Sequence, residues 1–196
     1  ALSLSQVNLE NSSWSLNIWG EDLIANVRGG RIYYWDTSGL ITARAVLVSS
    51  LAGAASVPVQ VRATVVSFPD RHFIAAGASA YVAEDGSSGT LDPMLVRWST
   101  QEDFTKFAPT ALNTAGDQRL EVGTKIVALV NTREETIIST DEAVYGMTFV
   151  GEPFIFSFRL LGTGASAIGL NSMIAIDGNT YWMGNRSFYI YDGVIN

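Results

Sequence analysis

Short runs rich in Val, Ile, Tyr, Phe and Trp dominate this chain, and Gly, Asn and Asp break them apart. Leu23–Val27, Arg31–Trp35, Lys125–Val130, Thr136–Thr140, Ala143–Phe149, Met173–Ile176, Thr180–Met183 and Ser187–Tyr191 are such runs. β-branched and aromatic side chains suit a pleated, half-buried surface, so each run predicts a strand. Long helical periodicity is absent. Two turns stand out, Gly29-Gly30 and Asp177-Gly178-Asn179, where residues that tolerate positive φ separate two apolar runs and predict type I′ or II′ hairpins.

An Ile/Val-Ala pair recurs at Ile24-Ala25, Ile74-Ala75, Val127-Ala128 and Ile174-Ala175, in steps of 50, 53 and 47 residues. Each pair sits in a short apolar strand and is followed by a second strand ending in an aromatic residue: Tyr34-Trp35, Trp98, Tyr145 and Tyr191. A period near fifty with several short antiparallel strands predicts an all-β fold, a β-propeller-like array of about four antiparallel β-meander units. One small meander cannot bury both faces, whereas blades stacked around an axis bury them against each other. The units fall near 14–39, 66–99, 120–150 and 169–193, as one propeller-type domain or a propeller fragment over 1–196. On this reading Ile24, Ile74, Val127 and Ile174 occupy equivalent inner strands of successive blades. A β-sandwich is the competing architecture. The segments 43–55 and 99–119 fit the meander poorly and are expected to connect blades, the first as a loop or short helix, the second with one helical turn near Gln101–Phe104.

With 196 residues and 47% hydrophobic content the chain can bury an ordinary core. Its formal charge of -7, with twelve scattered Lys and Arg, argues against gripping nucleic-acid phosphate. An acidic channel would instead let DNA pass without sticking. The absence of cysteine excludes disulfides, thiolate metal sites and thiol catalysis. The uncharged run Ala45–Val61 carries serines, a proline and a glutamine over its 17 residues, which is too short and too polar for a membrane span. The N-terminus lacks the pattern of a signal peptide. Ala1 in place of methionine suggests processing or a fragment.

Candidate chemistry is sparse. His72 is the single histidine, at the start of a strand in Asp70-Arg71-His72-Phe73, and nothing in the sequence marks the nucleophile and orienting acid of a triad. The acids Asp85, Asp92, Asp103, Asp117, Asp141 and Asp177 are candidates for paired-carboxylate glycoside hydrolysis. Most lie beside Gly, Ser or Asn, where a carboxylate caps a turn. The calcium-loop pattern is missing. Gly162-Thr163-Gly164-Ala165-Ser166 resembles a phosphate loop but lacks its lysine, and reads as a flexible connection between blades. The abundant aromatics suit packing between blades as well as a sugar groove. No catalytic, cofactor-binding or metal-binding residue is therefore assigned; the chain is expected to need no cofactor and to be no enzyme.

Several longer strings, taken in order, resemble a known family. They are Trp19-Gly20-Glu21-Asp22-Leu23-Ile24-Ala25, Arg28-Gly29-Gly30-Arg31-Ile32-Tyr33-Tyr34-Trp35-Asp36, Asp70-Arg71-His72 and Asp92-Pro93-Met94-Leu95-Val96-Arg97-Trp98-Ser99. Asn113-Thr114-Ala115-Gly116-Asp117-Gln118-Arg119-Leu120, Tyr181-Trp182-Met183-Gly184 and Phe188-Tyr189-Ile190-Tyr191-Asp192-Gly193 complete the set. From Trp14 to Gly193 the chain resembles the propeller region of tail nozzle proteins of short-tailed bacteriophages, also described as tail tubular or packaged-DNA-stabilisation proteins. The resemblance implies a structural virion protein in a homo-oligomeric ring, a hexamer, below the portal and adaptor. That ring would retain phage DNA and pass it during ejection without binding it tightly. It also implies assembly in the host cytoplasm, location in the virion tail, other tail proteins as partners and no membrane. Members of the family are usually much longer. The alternatives are a carbohydrate-binding or glycan-hydrolysing propeller and a generic protein-binding propeller.

Overall fold

Strand follows strand in four sheets taken in chain order, and the structure, a computed structural model, describes residues 13–68 and 70–196. The first sheet contains β1 (Trp14–Trp19), β2 (Asp22–Val27), β3 (Ile32–Trp35) and β4 (Val46–Leu47). The second contains β5 (Val61–Val66), β6 (Phe73–Tyr81), β7 (Ser88–Leu91), β8 (Leu95–Trp98) and β9 (Gly116–Arg119), in the order β5-β6-β8-β9 with β7 paired to β6. The third is a four-strand meander of β10 (Ile126–Asn131), β11 (Thr136–Thr140), β12 (Ala143–Gly151) and β13 (Ile155–Thr163). The fourth has three strands, β14 (Met173–Ile176), β15 (Asn179–Met183) and β16 (Phe188–Tyr191). The protein is all-β, and the four antiparallel sheets are the four blades of a β-propeller.

Tight turns set the registers. At the β14–β15 hairpin Asp177 and Gly178 take φ of +52° and +87°, which brings Ile176 opposite Asn179. That is the primed turn expected from an Asp-Gly pair, because its twist matches the twist of the strands it joins.

Successive blades bury alternate residues of one strand against opposite neighbours. On β6, Phe73 and Ala75 join Ile24, Ile32 and Val61 in the core between blades one and two. Ile74 and Ala76 point the other way, into a core with Ile126, Ile138 and Tyr145 of blade three. Blade three repeats the pattern, turning Val127, Ile137 and Val144 toward Met173, Trp182 and Tyr191 of blade four. Each fully buried Phe or Ile contributes ~1.5–3 kcal/mol, so these three seams carry most of the fold's stability. Polar bonds stitch the same seams: Asn17 Nδ2 donates to Thr64 Oγ1 at 2.9 Å, and the buried Arg62 donates through Nε to Ile126 O at 3.1 Å. Asn131 Nδ2 likewise donates to Val66 O.

The first strands β1, β5 and β10, with the approach to β14, border a space of about 290 Å³. Its lining includes Trp14, Asn17, Thr64, Val130, Asn131 and Asn171 and no charged side chain.

Several sequence expectations need correction. Ile24 and Ile74 lie on the second strands of their blades, β2 and β6, while Val127 and Ile174 lie on the first strands, β10 and β14. The Ile/Val-Ala pairs are thus not equivalent: Ile74-Ala75 and Val127-Ala128 lie on strands packed between neighbouring blades, whereas Ile174 is 55% exposed. The aromatic residues recur on β3, β8, β12 and β16, each third in its blade, with Ile74 opposite Trp98 and Ile138 opposite Tyr145; Trp35, Trp98 and Tyr191 end their strands, whereas Tyr145 lies near the start of β12. The second blade begins with β5 and ends with β9, and the third extends through β13, beyond the units 66–99 and 120–150. The segment 43–55 holds β4 and the expected short helix, a single 3-10 turn over Val48–Ser50, whereas the segment 99–119 has no helical turn at Gln101–Phe104 and ends in strand β9.

Candidate functional site

A polar cleft of about 590 Å³ lies between the third and fourth blades, at the end where β10 turns into β11 and β14 into β15. Glu135 stands just before β11, Arg159 projects from β13 and Tyr191 ends β16. Tyr191 Oη donates to Glu135 Oε1 at 2.9 Å. Arg159 Nη2 donates to Tyr191 Oη at 3.0 Å and pairs with Glu135 Oε2 at 3.5 Å. The Glu135 side chain is 13% exposed, because it lies over Gly146, where an added Cβ would fall 2.2 Å from its Oε2. Burial, then the hydrogen bond to Glu135, pushes the Tyr191 phenol above its ordinary range. The bond to Tyr191, followed by its charge and that of Glu135, raises Arg159. Arg133, Glu134, Asp177, Asn179 and Asp192 complete the lining. A half-buried carboxylate, a phenol and a guanidinium at one mouth can bind a polyol or exchange a proton with a ligand. Asp177 lines this cleft as a turn residue, and none of the other five candidate acids reaches it.

Those acids do the work of turn caps. Asp85 accepts from Ser87 N, Asp92 from Met94 N, Asp103 from Thr105 N, and Asp141 from Thr124 N and Lys125 N. The hydrogen bonds from Ser87 hold Asp85 below its ordinary value. Burial pushes Asp141 up, and the bonds from Thr124 and Lys125 outweigh it and leave it low. Asp117 lies on β9 opposite Arg97, and Arg119 pairs with Asp92 at 2.8 Å. Among the described residues no three His, Asp or Glu side chains come together to hold a metal ion. No helix among them is long and apolar enough to cross a membrane.

His72 acquires the partners that the sequence did not reveal. Its Nδ1 lies 2.6 Å from Asp70 Oδ2 and its Nε2 lies 2.9 Å from Thr114 Oγ1. Ser67 Oγ donates to the same Asp70 oxygen at 2.6 Å. Burial pushes the Asp70 carboxyl up, but the bonds from His72 and Ser67 prevail and hold it low. Acid, imidazole and hydroxyl stand in the order of a catalytic triad. The imidazole is fully buried, however, packed edge-on to Phe156, and Thr114 Oγ1 is occupied by Gln101 N–H at 2.8 Å. This array fastens the 99–115 connection to the start of β6.

A second buried charge, Arg97 on β8, is fully enclosed. Its guanidinium donates to Ser79 O at 3.0 Å, Ser56 O at 2.9 Å and Phe107 O at 3.0 Å. Desolvation pushes it down to about 10. The phosphate-loop look-alike is likewise structural. Gly162 and Thr163 end β13, Gly164 takes φ of +77°, and Trp182 Nε1 donates to Ala165 O, so the connection is pinned.

No family model matches the chain, and no curated protein matches it. Among solved structures, its fold is similar to that of a crystal structure named as a candidate gluconolactonase, at 14% identity and a TM-score of 0.50. The likeness takes in 89% of this chain and 58% of that one, so the chain spans less than two thirds of its structural relative. At this identity the likeness is one of fold. It corrects one expectation drawn from the sequence, that the chain is no enzyme: a protein named for an enzymatic activity is built on the same architecture. The structure shared by the two is a β-propeller, and catalysis is not set aside for this chain.

Proposed function

We propose that this chain is a structural subunit of the tail nozzle of a short-tailed bacteriophage, part of a homo-oligomeric ring that retains packaged DNA and lets it pass during ejection. The observation that carries the proposal is the ordered set of family-like strings between Trp14 and Gly193. Their positions in the fold support it. Asp70-Arg71-His72 supplies the buried latch, Arg97 in Asp92–Ser99 clamps three carbonyls, and Gly116 in Asn113–Leu120 gives room to the Trp98 ring. Strings of this kind maintain a scaffold. The net charge of -7 is in keeping with a wall that repels a moving duplex.

Labelled antibody against the chain should decorate the tail of purified virions, with the protein present in a fixed number of copies per particle. Particles that lack it would sink the proposal. The isolated chain should also bind duplex DNA weakly at low salt, where attraction would be greatest.

A second reading, hydrolysis of a sugar lactone or glycan, is favoured by the fold likeness together with the Glu135–Tyr191–Arg159 cleft. It requires turnover of gluconolactone or a polysaccharide by the purified chain, lost on Glu135→Gln with the melting temperature kept. No turnover of either substrate would leave the nozzle reading alone.

A further inference from the structure

Antiparallel strands alternate in direction, so the β11–β12 and β15–β16 turns lie at the opposite end of blades three and four from the Glu135 cleft. A second cavity, of about 220 Å³, opens there. Asp141 lines it from the β11–β12 turn, Gly164 and Ser166 from the connection between the blades, Asn185 and Arg186 from the β15–β16 turn, and Tyr189 from β16.

Its walls are fixed. Trp182 stacks on Tyr189 with ring centroids 5.6 Å apart and donates through Nε1 to Ala165 O at 2.6 Å, which ties the connection to the fourth blade. Asp141 Oδ1 accepts from Thr124 N–H at 2.7 Å and Lys125 N–H at 3.3 Å, and its other oxygen accepts from the Thr124 hydroxyl. The donors are uncommitted by contrast. Ser166 Oγ is buried and has no hydrogen-bond partner. The side chains of Asn185 and Arg186 make no hydrogen bond or ion pair among the described residues. Tyr189 Oη reaches Gly164 O only at 3.5 Å. Buried polar groups are nearly always paired, so an unpaired hydroxyl in the wall of a cavity calls for a partner from outside the chain.

The wall chemistry defines that partner. Hydroxyl, amide, phenol and guanidinium all donate, and Arg186 supplies the charge that favours a carboxylate. Asp141 is the single acid in the lining; it repels a bare anion and accepts a hydroxyl. The volume, below the ~300 Å³ at which drug-sized pockets begin, limits the ligand to about one sugar ring. We propose that this cavity binds a hydroxy acid of that size, its carboxylate on Arg186, Asn185 and Ser166 and a hydroxyl donating to Asp141. The site stands apart from the nozzle reading and shares no residue with the Glu135 cleft.

Titration of the ¹⁵N-labelled chain with D-glucuronate tests it. The amides of Gly164, Ser166, Asn185 and Arg186 should shift and saturate with a Kd of ~1 mM, so that ~100 mM fills the site. Glucose, which lacks the carboxylate, and cyclohexanecarboxylate, which lacks the hydroxyls, should bind at least about tenfold more weakly. Arg186 is exposed, so its variants should fold; Arg186→Met should weaken glucuronate at least about tenfold, and Arg186→Lys less. Ser166→Ala should weaken it several-fold while keeping or raising the melting temperature, because it removes a buried hydroxyl that has no partner. The absence of a saturable shift by ~100 mM overturns the proposal. So does equal binding of the three probes, or undiminished binding of glucuronate by Arg186→Met. Inorganic phosphate bound as tightly as glucuronate would mark a bare anion site and also count against it.

Discussion

Gly116→Ala places a methyl group where the seam between blades two and three has no room. Gly116 pairs with Trp98 across β8 and β9, and a Cβ there would lie 2.6 Å from Trp98 Cζ2 and 2.9 Å from Cε2. The indole cannot retreat freely: it is 5% exposed, its centroid lies 5.2 Å from that of Phe156, and its Nε1 donates to Thr114 O at 2.8 Å. Reaching ordinary contact requires a shift approaching 1 Å, and forced overpacking of a tight core costs ~1–3 kcal/mol. If the shift breaks the indole hydrogen bond, a further ~0.5–1.5 kcal/mol is lost. A net loss of ~2–4 kcal/mol lowers the melting temperature by ~4–16 °C for a chain of this size. Calorimetry measures that shift, and the Trp fluorescence maximum shows whether the ring has moved. Gly169→Ala is the control, since nothing lies within 4 Å of its added Cβ and its φ is not positive, so its stability should stay within ~0.5 kcal/mol of wild type. A Gly116→Ala protein that melts within ~1 °C of wild type would refute the packing argument.

His72→Ala removes a fully buried ring with two partners and should cost ~2–4 kcal/mol in urea unfolding. Asp70 is held below 3.8, so its contribution is fully present above that pH and is lost as pH falls through the lower folded value. Asp70→Asn should therefore reduce stability at neutrality and flatten the loss in acid, as read from urea midpoints across that range. Arg97→Met leaves three backbone carbonyls without their donor; relief from burying a cation offsets part of the loss, and a net ~2–4 kcal/mol destabilisation by the same assay is expected. Glu135→Gln should change stability by less than ~1 kcal/mol, since Arg159 is 60% exposed and solvent screens the pair.

The strands that the sequence made legible are those whose apolar runs sit between sharp turns: β2, β3, β10, β11, β12, β14, β15 and β16. Gly-Asp-Gln-Arg gives no such signal at β9, because three of its four residues are solvent-exposed at a sheet edge. The slip of the Ile/Val-Ala motif from second to first strand was invisible for a different reason. Burial between blades selects residue type, and it acts alike on Ile74 of second strand β6 and Val127 of first strand β10. The cleft was unreadable as a unit, since Glu135, Arg159 and Tyr191 meet only through the registers of three strands. Of the partners of His72, Asp70 was already in view two residues away, but Thr114 is 42 positions distant and arrives by the return of the chain along β9.

Arg97 has a mechanical consequence beyond stability. Its guanidinium holds Ser56 and Phe107, while Ala55 N donates to Thr105 O and Phe107 N to Ala55 O. Two surface connections, each without regular structure over most of its length, are thereby fastened to one another and to the sheet beneath. A partner docking on this rim meets a surface whose conformational entropy was already given up during folding. It keeps more of its contact energy as affinity than it would on two independent loops. Force applied to one connection is likewise shared with the other, so the rim yields as a single body.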